Sequence, residues 1–398
     1  MALIEDGVVD REGVGGLAAR LGVSERHLRR ELNAAVGTGP TQLARSRRLW
    51  LARLLLDQTN LAVTDVAFAS GFASVRQFND AFRQAFDATP SSLRRRPDTA
   101  ATGATEVTLT LSSRGPVQWE DLHRFLSARA IRGLESSTPD SFRRGVPGGW
   151  IELQRAEAED KLLLNCSLDS LDRVAQLISM VRRVADLDTD TEPIADHLRT
   201  DVQLAERLSR RRLPRLPGAF DPFELAVRAV AGQQVSVAGA RTTLSQLVSL
   251  ATGAQTDSDP GTAQLPSEVV HQGFPTAAQV VSAPLEKLGM PTKRRETIAT
   301  LARLVADGHL DLSPAAERTA TIQQLLAVPG IGPWTAGYIA MRALNDPNGW
   351  PSGDLVLRNS LGVEAKELER RAEQWQPWRA YAAMLLWNTS AQDRTKRQ

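Results

Sequence analysis

Residues 325–344 read LLAVPGIGPWTAGYIAMRAL, and Pro329-Gly330-Ile331-Gly332-Pro333 at their centre leaves the stretch few ways to fold. An apolar helical segment runs into two glycines that flank one apolar residue, so the backbone can turn sharply and approach a neighbour closely. Pro333 stands where a second helix starts, because its fixed φ and missing N–H suit the first helical position. The free N–H groups of Gly330, Gly332 and the new helix then face a place suited to a phosphate. Such a helix-hairpin-helix grips nucleic-acid backbone without reading sequence. The alternative is an ordinary corner between two helices with glycine in its turn.

The residues that follow narrow the choice. Trp334 and Tyr338 lie four apart on one helix face, and Met341 continues the stripe. Further on, Pro351-Ser352-Gly353-Asp354-Leu355-Val356-Leu357-Arg358 places Asp354 where a glycine-containing loop enters another helix. The plain role for such an aspartate is an N-cap. A helix start also favours the anion, so a carboxylate there suits the stabilisation of a developing cation.

Composition sets the outer bounds. The chain has 398 residues, 42% hydrophobic and 24% charged, which is the make-up of a folded protein of two or three domains. Its one cysteine, Cys166, excludes an internal disulfide, a zinc finger and a four-cysteine iron–sulfur cluster. The five histidines have no metal-ligand spacing. No apolar run approaches the ~18 residues of a membrane span, and the N-terminus does not read as a signal peptide, so no membrane partner and a cytoplasmic location are expected. Only five of the 48 basic residues are lysine, so arginine, whose fork suits phosphates and base edges, dominates.

Residues 10–96 show helical periodicity throughout, and PDTAATGAT after them is linker chemistry. EVTLTLSSRG alternates with period two, WEDLHRFLSARAI reads as a helix, and GGWIELQRAEAEDKLLLNCSL reads as two strands around a polar turn. From Leu171 onward the pattern is helical again, broken by loops at 213–223 and 251–264. The expected organisation is a helical head (1–96), a linker (97–105), a small α+β piece (106–175) and a helical body (176–398).

The head contains a repeat. LAARLGVSERHLRREL (17–32) and VAFASGFASVRQFNDAF (66–82) share a small residue (Ala18, Ala67), a turn glycine (Gly22, Gly71), a capping serine (Ser24, Ser74) and an apolar anchor (Leu28, Phe78). This is helix-turn-helix construction. The second helices offer Arg26, Arg29 and Arg30 in one copy and Arg76, Gln77 and Asn79 in the other, side chains that read base edges. Arg45, Arg47, Arg48 and Arg53 lie between them, and residues 24–53 hold seven arginines against two glutamates. The plain alternative is a solvated helical bundle.

On these motifs the head resembles the paired helix-turn-helix domain of AraC-type regulators, in the form found in Ada-type proteins. It lacks the cysteine-rich zinc and methyl-acceptor module of those proteins, so methyl-activated switching is not expected. The hairpin with its downstream aspartate resembles the helix-hairpin-helix DNA glycosylases. AVRAVAGQQVSVAGA (226–240), KRRETIATLARLVADG (293–308), WQPWRAY (375–381) and MLLWN (384–388) make residues 106–391 most similar to the AlkA-type 3-methyladenine DNA glycosylase II family. The fold implied is mainly α: a double helix-turn-helix domain, a small α+β domain, and all-α glycosylase domains.

The resemblance implies that Asp354 is catalytic and that Trp334, Tyr338, Trp387, Phe125 and Leu355 line a pocket for a flipped base. It implies that Gln234 fills the gap left in the DNA stack, and that Gly330, Ile331, Gly332 and Thr335 hold DNA backbone. The carbonyls of Leu326, Val328 and Ile331 would hold a structural Na+ or K+, and no other cofactor is implied. Gln234 and Leu355 depart from the family's apolar wedge and tyrosine. Trp334 stands in the region where strand-cutting members carry a lysine, and Lys161, Lys287, Lys293, Lys366 and Lys396 all lie elsewhere. A monofunctional glycosylase acting on alkylated purines in double-stranded DNA is expected, a monomer at the nucleoid, with RNA polymerase as a partner of the head. A transcription regulator of the alkylation response with an accessory or inactive glycosylase part is the alternative.

Overall fold

A computed structural model describes residues 2–5, 7–94, 105–253 and 273–395. The linker expected at 97–105 and most of the loop at 251–264 lie outside the described residues. The chain divides into two compact units, residues 1–111 with 163–181 and residues 112–162 with 182–398. This division differs from the boundaries drawn on the sequence, because the first unit takes in two strand segments that follow the head.

In the first unit the two repeat copies form as their punctuation requires. Val8–Arg20 and Glu25–Val36 make one helix pair, Val63–Ala69 and Val75–Phe86 the other, and Pro40–Gln58 runs between them. Ser24 accepts the N–H of His27 and Ser74 that of Gln77, each capping a second helix. Gly22 and Gly71 adopt the left-handed backbone that the turns need (φ 64° and 85°). Leu28 and Phe78 are buried, as an anchor should be. Gln58, at the end of the long helix, hydrogen-bonds the backbone of Thr110, donating to its carbonyl (3.2 Å) and accepting its N–H (2.6 Å). The head is thereby joined to the strand that follows it.

Among the described residues there are five strands: β1 (Thr105–Ser112), β2 (Glu135–Ser137), β3 (Ser141–Val146), β4 (Gly149–Arg155) and β5 (Lys161–Leu168). β1 lies beside β5, and β2, β3 and β4 form an antiparallel meander with Phe142 opposite Ser137 and Leu153. The sequence pattern misses β2 and β3 because the inward position in SFRRGV is an arginine. Arg144 is buried and paired with Glu135 of β2 and Glu224 of the Pro222–Ala231 helix (3.0 Å to Glu224 Oε1). Arg228 completes the cluster, donating to Glu224 and Glu135 at 2.7 Å each. Burial would raise the Glu224 carboxyl, but Arg144 and Arg228 outweigh it and hold it below the usual carboxylate range.

Among its described residues the second unit gathers helices around two cores. One gathers the Pro222–Ala231, Val237–Thr252 and Thr292–Ala306 helices, and the other the Val202–Arg210, Leu355–Leu361, Ala365–Gln374 and Arg379–Thr395 helices. The hairpin's second helix, Pro333–Arg342, lies between them. Ala336 and Ile339 enter the first core, Met341 enters the second, and Tyr338 packs against both. Met341 is therefore core, although it continues the Trp334–Tyr338 stripe in sequence. Among the described residues no helix is long and apolar enough to cross a membrane.

Candidate active site

The hairpin forms from Arg318–Ala327 and Pro333–Arg342. Gly330 sits at φ 94°, and a Cβ there would stand 2.2 Å from Oγ1 of Thr297, so only glycine fits. That hydroxyl donates to the Pro329 carbonyl at 2.8 Å and fixes the turn. The Ile331 N–H is occupied by the Val328 carbonyl (3.0 Å), whereas no partner among the described residues takes the N–H of Gly330 or Gly332. Thr335, expected to meet DNA, has a buried side chain that accepts a bond from Gln233 (3.0 Å). The helix turns that side chain inward, so only its first-turn N–H is left for a phosphate.

A cavity of about 670 Å³ opens beside the hairpin's second helix, and Trp334, Tyr338, Asp354, Trp387 and Phe125 all line it. Asp354 caps the Leu355–Leu361 helix through Leu357 N–H (2.9 Å) and is only 8% exposed. Both indoles address the same carboxylate, Trp334 Nε1 donating to Oδ2 at 2.7 Å and Trp387 Nε1 to Oδ1 at 3.2 Å. The N-cap role and the cavity role are thus filled by one side chain. Three N–H donors on two oxygens hold it as an oriented acceptor next to the cavity.

Trp334 and Tyr338 stack on each other, with centroids 5.3 Å apart and planes 6° apart. That is a single stacking contact. A planar ring between them would need about 7 Å, so the pair as it stands leaves no room for one between its rings. Phe125 faces two guanidinium groups, Arg129 at 3.9 Å and Arg342 at 4.5 Å from its centroid. Leu355, expected in the pocket, does not line the cavity. As the first residue of its helix it is directed outward (61% exposed), and the next residue, Val356, takes the wall position.

Gln234 lies in the turn after the Pro222–Ala231 helix, exposed and left-handed (φ 54°), beside the exposed Val235 and Val237 at the cavity rim. Gln233 ties this turn to the hairpin by donating to the Gly330 carbonyl (2.9 Å) and to Thr335.

Several residues escaped sequence reasoning. Gly337 lets the loop before Asp354 approach the hairpin helix, since a Cβ there would lie 1.8 Å from the Trp350 carbonyl oxygen. Glu369 braces that same loop, accepting from Trp350 Nε1 (2.9 Å), Ser352 Oγ (2.8 Å) and Gly353 N–H (3.0 Å). Arg342, buried, donates to Tyr338 Oη (2.7 Å) and to the carbonyls of Pro217 and Gly218. A lone arginine inside the apolar run GYIAMRAL was the available signal for it.

In the head, Arg26, Arg29, Arg30, Arg76 and Gln77 are exposed and Asn79 is half-buried. Arg47 and Arg48 instead turn inward to Asp10 (3.1 and 3.4 Å), and Arg53 pairs with Asp57 (2.9 Å). The central arginines therefore hold the head together more than they extend its basic face.

The hairpin, the cavity between two helical cores and the capping aspartate define a helix-hairpin-helix DNA glycosylase, here fused to a double helix-turn-helix domain. Residues 17–96 match the family described as "Helix-turn-helix domain", and residues 108–221 match "AlkA N-terminal domain". A "Probable bifunctional transcriptional activator/DNA repair enzyme AlkA" of Mycobacterium tuberculosis is 40% identical over 98% of this chain and 79% of its own length. DNA-3-methyladenine glycosylase 2 of Escherichia coli is 30% identical over 70% of this chain and 96% of its own. The fold is shared with a 3-methyladenine DNA-glycosylase from Archaeoglobus fulgidus (TM-score 0.58, 18% identity, 71% of this chain and 98% of that one). The chain belongs to the AlkA family of DNA repair glycosylases, in the form that carries an AraC-type DNA-binding domain.

Proposed function

We propose that the C-terminal part flips alkylated purines of the 3-methyladenine and 7-methylguanine type out of duplex DNA. It then hydrolyses their N-glycosidic bond and leaves an abasic site. The observation that carries this reading is the Asp354 carboxylate, held beside an aromatic cavity by two indole N–H groups and its own helix. As the bond breaks the sugar becomes oxocarbenium-like, and a fixed carboxylate stabilises that charge without reorganising. It also orients the attacking water.

The exposed Gln234 turn supplies a plug for the gap in the stack, with Val235 and Val237 beside it. The N–H groups of Gly330 and Gly332 take a phosphate. The hairpin carbonyls of Leu326, Val328 and Ile331 would hold Na+ or K+, since neutral oxygens without a carboxylate suit a monovalent ion. No lysine is among the cavity residues, which supports a monofunctional enzyme that releases the base without a Schiff base. The head would bind its own operator, contact RNA polymerase, and keep a monomeric, cytoplasmic protein at the nucleoid.

The test is Asp354→Asn. An amide has a single acceptor oxygen, so one indole N–H loses its partner and the charge is gone. Release of 7-methylguanine from alkylated duplex DNA is expected to fall by about 10² or more, with DNA affinity kept. Undiminished release refutes the reading.

A further inference from the structure

Trp350-Pro351-Ser352-Gly353 deliver Asp354 to the cavity. Inside this loop the backbone closes turn bonds, Ser352 N–H on the Trp350 carbonyl (3.0 Å) and Asp354 N–H on the Pro351 carbonyl (3.2 Å). Those bonds fix the loop's shape but not its place. Its place is set from two sides. On one, the Trp350 carbonyl lies against Gly337 of the hairpin's second helix. On the other stands Glu369, on the Ala365–Gln374 helix. Its Oε1 accepts Ser352 Oγ (2.8 Å) and the Gly353 N–H (3.0 Å), and its Oε2 accepts Trp350 Nε1 (2.9 Å).

A carboxylate only accepts, so it holds all these donors at once, whereas an amide would turn an N–H toward at least one of them. A brace also needs a fixed base, and Glu369 has one. Leu368 and Ala372 of its helix are buried in the second core, and Arg371 forks onto Asp201 at 2.7 Å. The Trp350 ring is further held edge-on against Trp375, with centroids 5.7 Å apart. Glu369 therefore cannot follow the loop if the loop withdraws.

We propose that Glu369 is a positioning residue for base release. By pressing the loop onto the hairpin helix it sets where the Asp354 carboxylate meets the Trp334 and Trp387 indoles, and so sets the rate of the chemical step without a part in DNA binding. The proposal rests on the glycosylase reading, in which Asp354 faces the reacting sugar. Among the described residues no hydrogen bond joins Glu369 to Asp354, Trp334 or Trp387, so it acts through the Gly353 peptide that precedes Asp354. Without the brace the loop relaxes away from the hairpin helix, and a displacement of about 1 Å at a reacting centre costs about 10² in rate.

The experiment uses the full chain and its Glu369→Gln and Glu369→Ala variants. Single-turnover release of 7-methylguanine from alkylated duplex DNA at saturating enzyme gives the rate. Titration with duplex DNA carrying a stable abasic analogue gives the affinity and the fraction of active molecules. The rate should fall by about tenfold in Glu369→Gln and about 10² in Glu369→Ala, with affinity unchanged. In Glu369→Gln the indole N–H resonances of Trp334 and Trp387, identified from Trp334→Phe and Trp387→Phe spectra, should move together with that of Trp350. A merely structural role would lower the active fraction and leave the rate of the active molecules and those two resonances in place, which overturns the proposal. Parallel losses of rate and affinity, or an unchanged rate in Glu369→Gln, overturn it as well. If Glu369→Ala fails to fold, the isosteric Gln variant decides alone. Failure of wild type to release 7-methylguanine overturns the glycosylase reading itself.

Discussion

Gly337→Ala sets two effects of opposite sign against each other. In a helix interior alanine is favoured over glycine by about 1 kcal/mol, so on propensity alone the variant is stabilised. The added methyl, however, would stand 1.8 Å from the Trp350 oxygen and 2.6 Å from its carbonyl carbon, where ordinary contact begins at 3.4 Å. Both contacts are backbone, which no side-chain rotation relieves. The loop 350–353 must retreat by roughly 1.5 Å, and such overpacking costs about 1–3 kcal/mol. The clash wins, and net destabilisation of up to about 2 kcal/mol is expected.

The effect on rate should be larger than the effect on stability. Asp354 follows that loop directly, and its 2.7 Å bond from Trp334 comes from the very helix being pushed away. A misplacement of about 1 Å at a reacting centre costs about 10² in rate. Single-turnover release of 7-methylguanine should therefore fall by about two orders of magnitude while DNA affinity, set largely by backbone contacts, is kept. Thermal unfolding measured alongside gives the stability change. A variant that is both more stable and fully active would refute the close-approach argument.

Two further outcomes follow from the geometry. Asp201 caps the Val202–Arg210 helix and accepts a forked pair from Arg371 (2.7 Å) and the Trp375 N–H (3.2 Å). Burial alone would raise Asp201, but these donors hold it below its unfolded value near 3.8. Its contribution is therefore full above that value and is lost as pH falls through the lower folded one. Asp201→Asn should lose on the order of 3 kcal/mol at pH 7, and denaturant titrations should show the gap to wild type narrowing as pH falls toward 3; a gap independent of pH contradicts the assignment. In the head, Arg76→Ala with Gln77→Ala should abolish a footprint at the protein's own promoter and leave 7-methylguanine release intact, whereas uniform affinity across DNA sequences would reject a regulatory head.

What could be read from the sequence was whatever backbone chemistry encodes among neighbours. Gly330 and Pro333 specify a corner within five residues, and Ser24 and Ser74 each cap a helix three residues on, so the hairpin and both helix-turn-helix copies form where they are expected. Tyr338 and Trp334 could be placed on one face by counting. Side-chain direction at a helix entry could not, and Leu355 gave way to Val356 for that reason.

Much of the illegible part is charged, because a buried charge has meaning only through partners distant in sequence. Arg144 looks like a surface residue until Glu224, eighty positions on, meets it. Arg342 reads as the end of an apolar helix until the carbonyls of Pro217 and Gly218 close around it. Arg47 and Arg48 look like a DNA-binding stripe until Asp10 folds back on them. Removing a buried guanidinium from water is so unfavourable that its acceptors must be built in. Every such residue therefore marks a tie between distant segments, and in this cavity Arg342 ties the Pro-rich loop to the phenol of Tyr338. The aromatic wall could be anticipated from spacing, but the charge set behind it arises only from the tertiary fold.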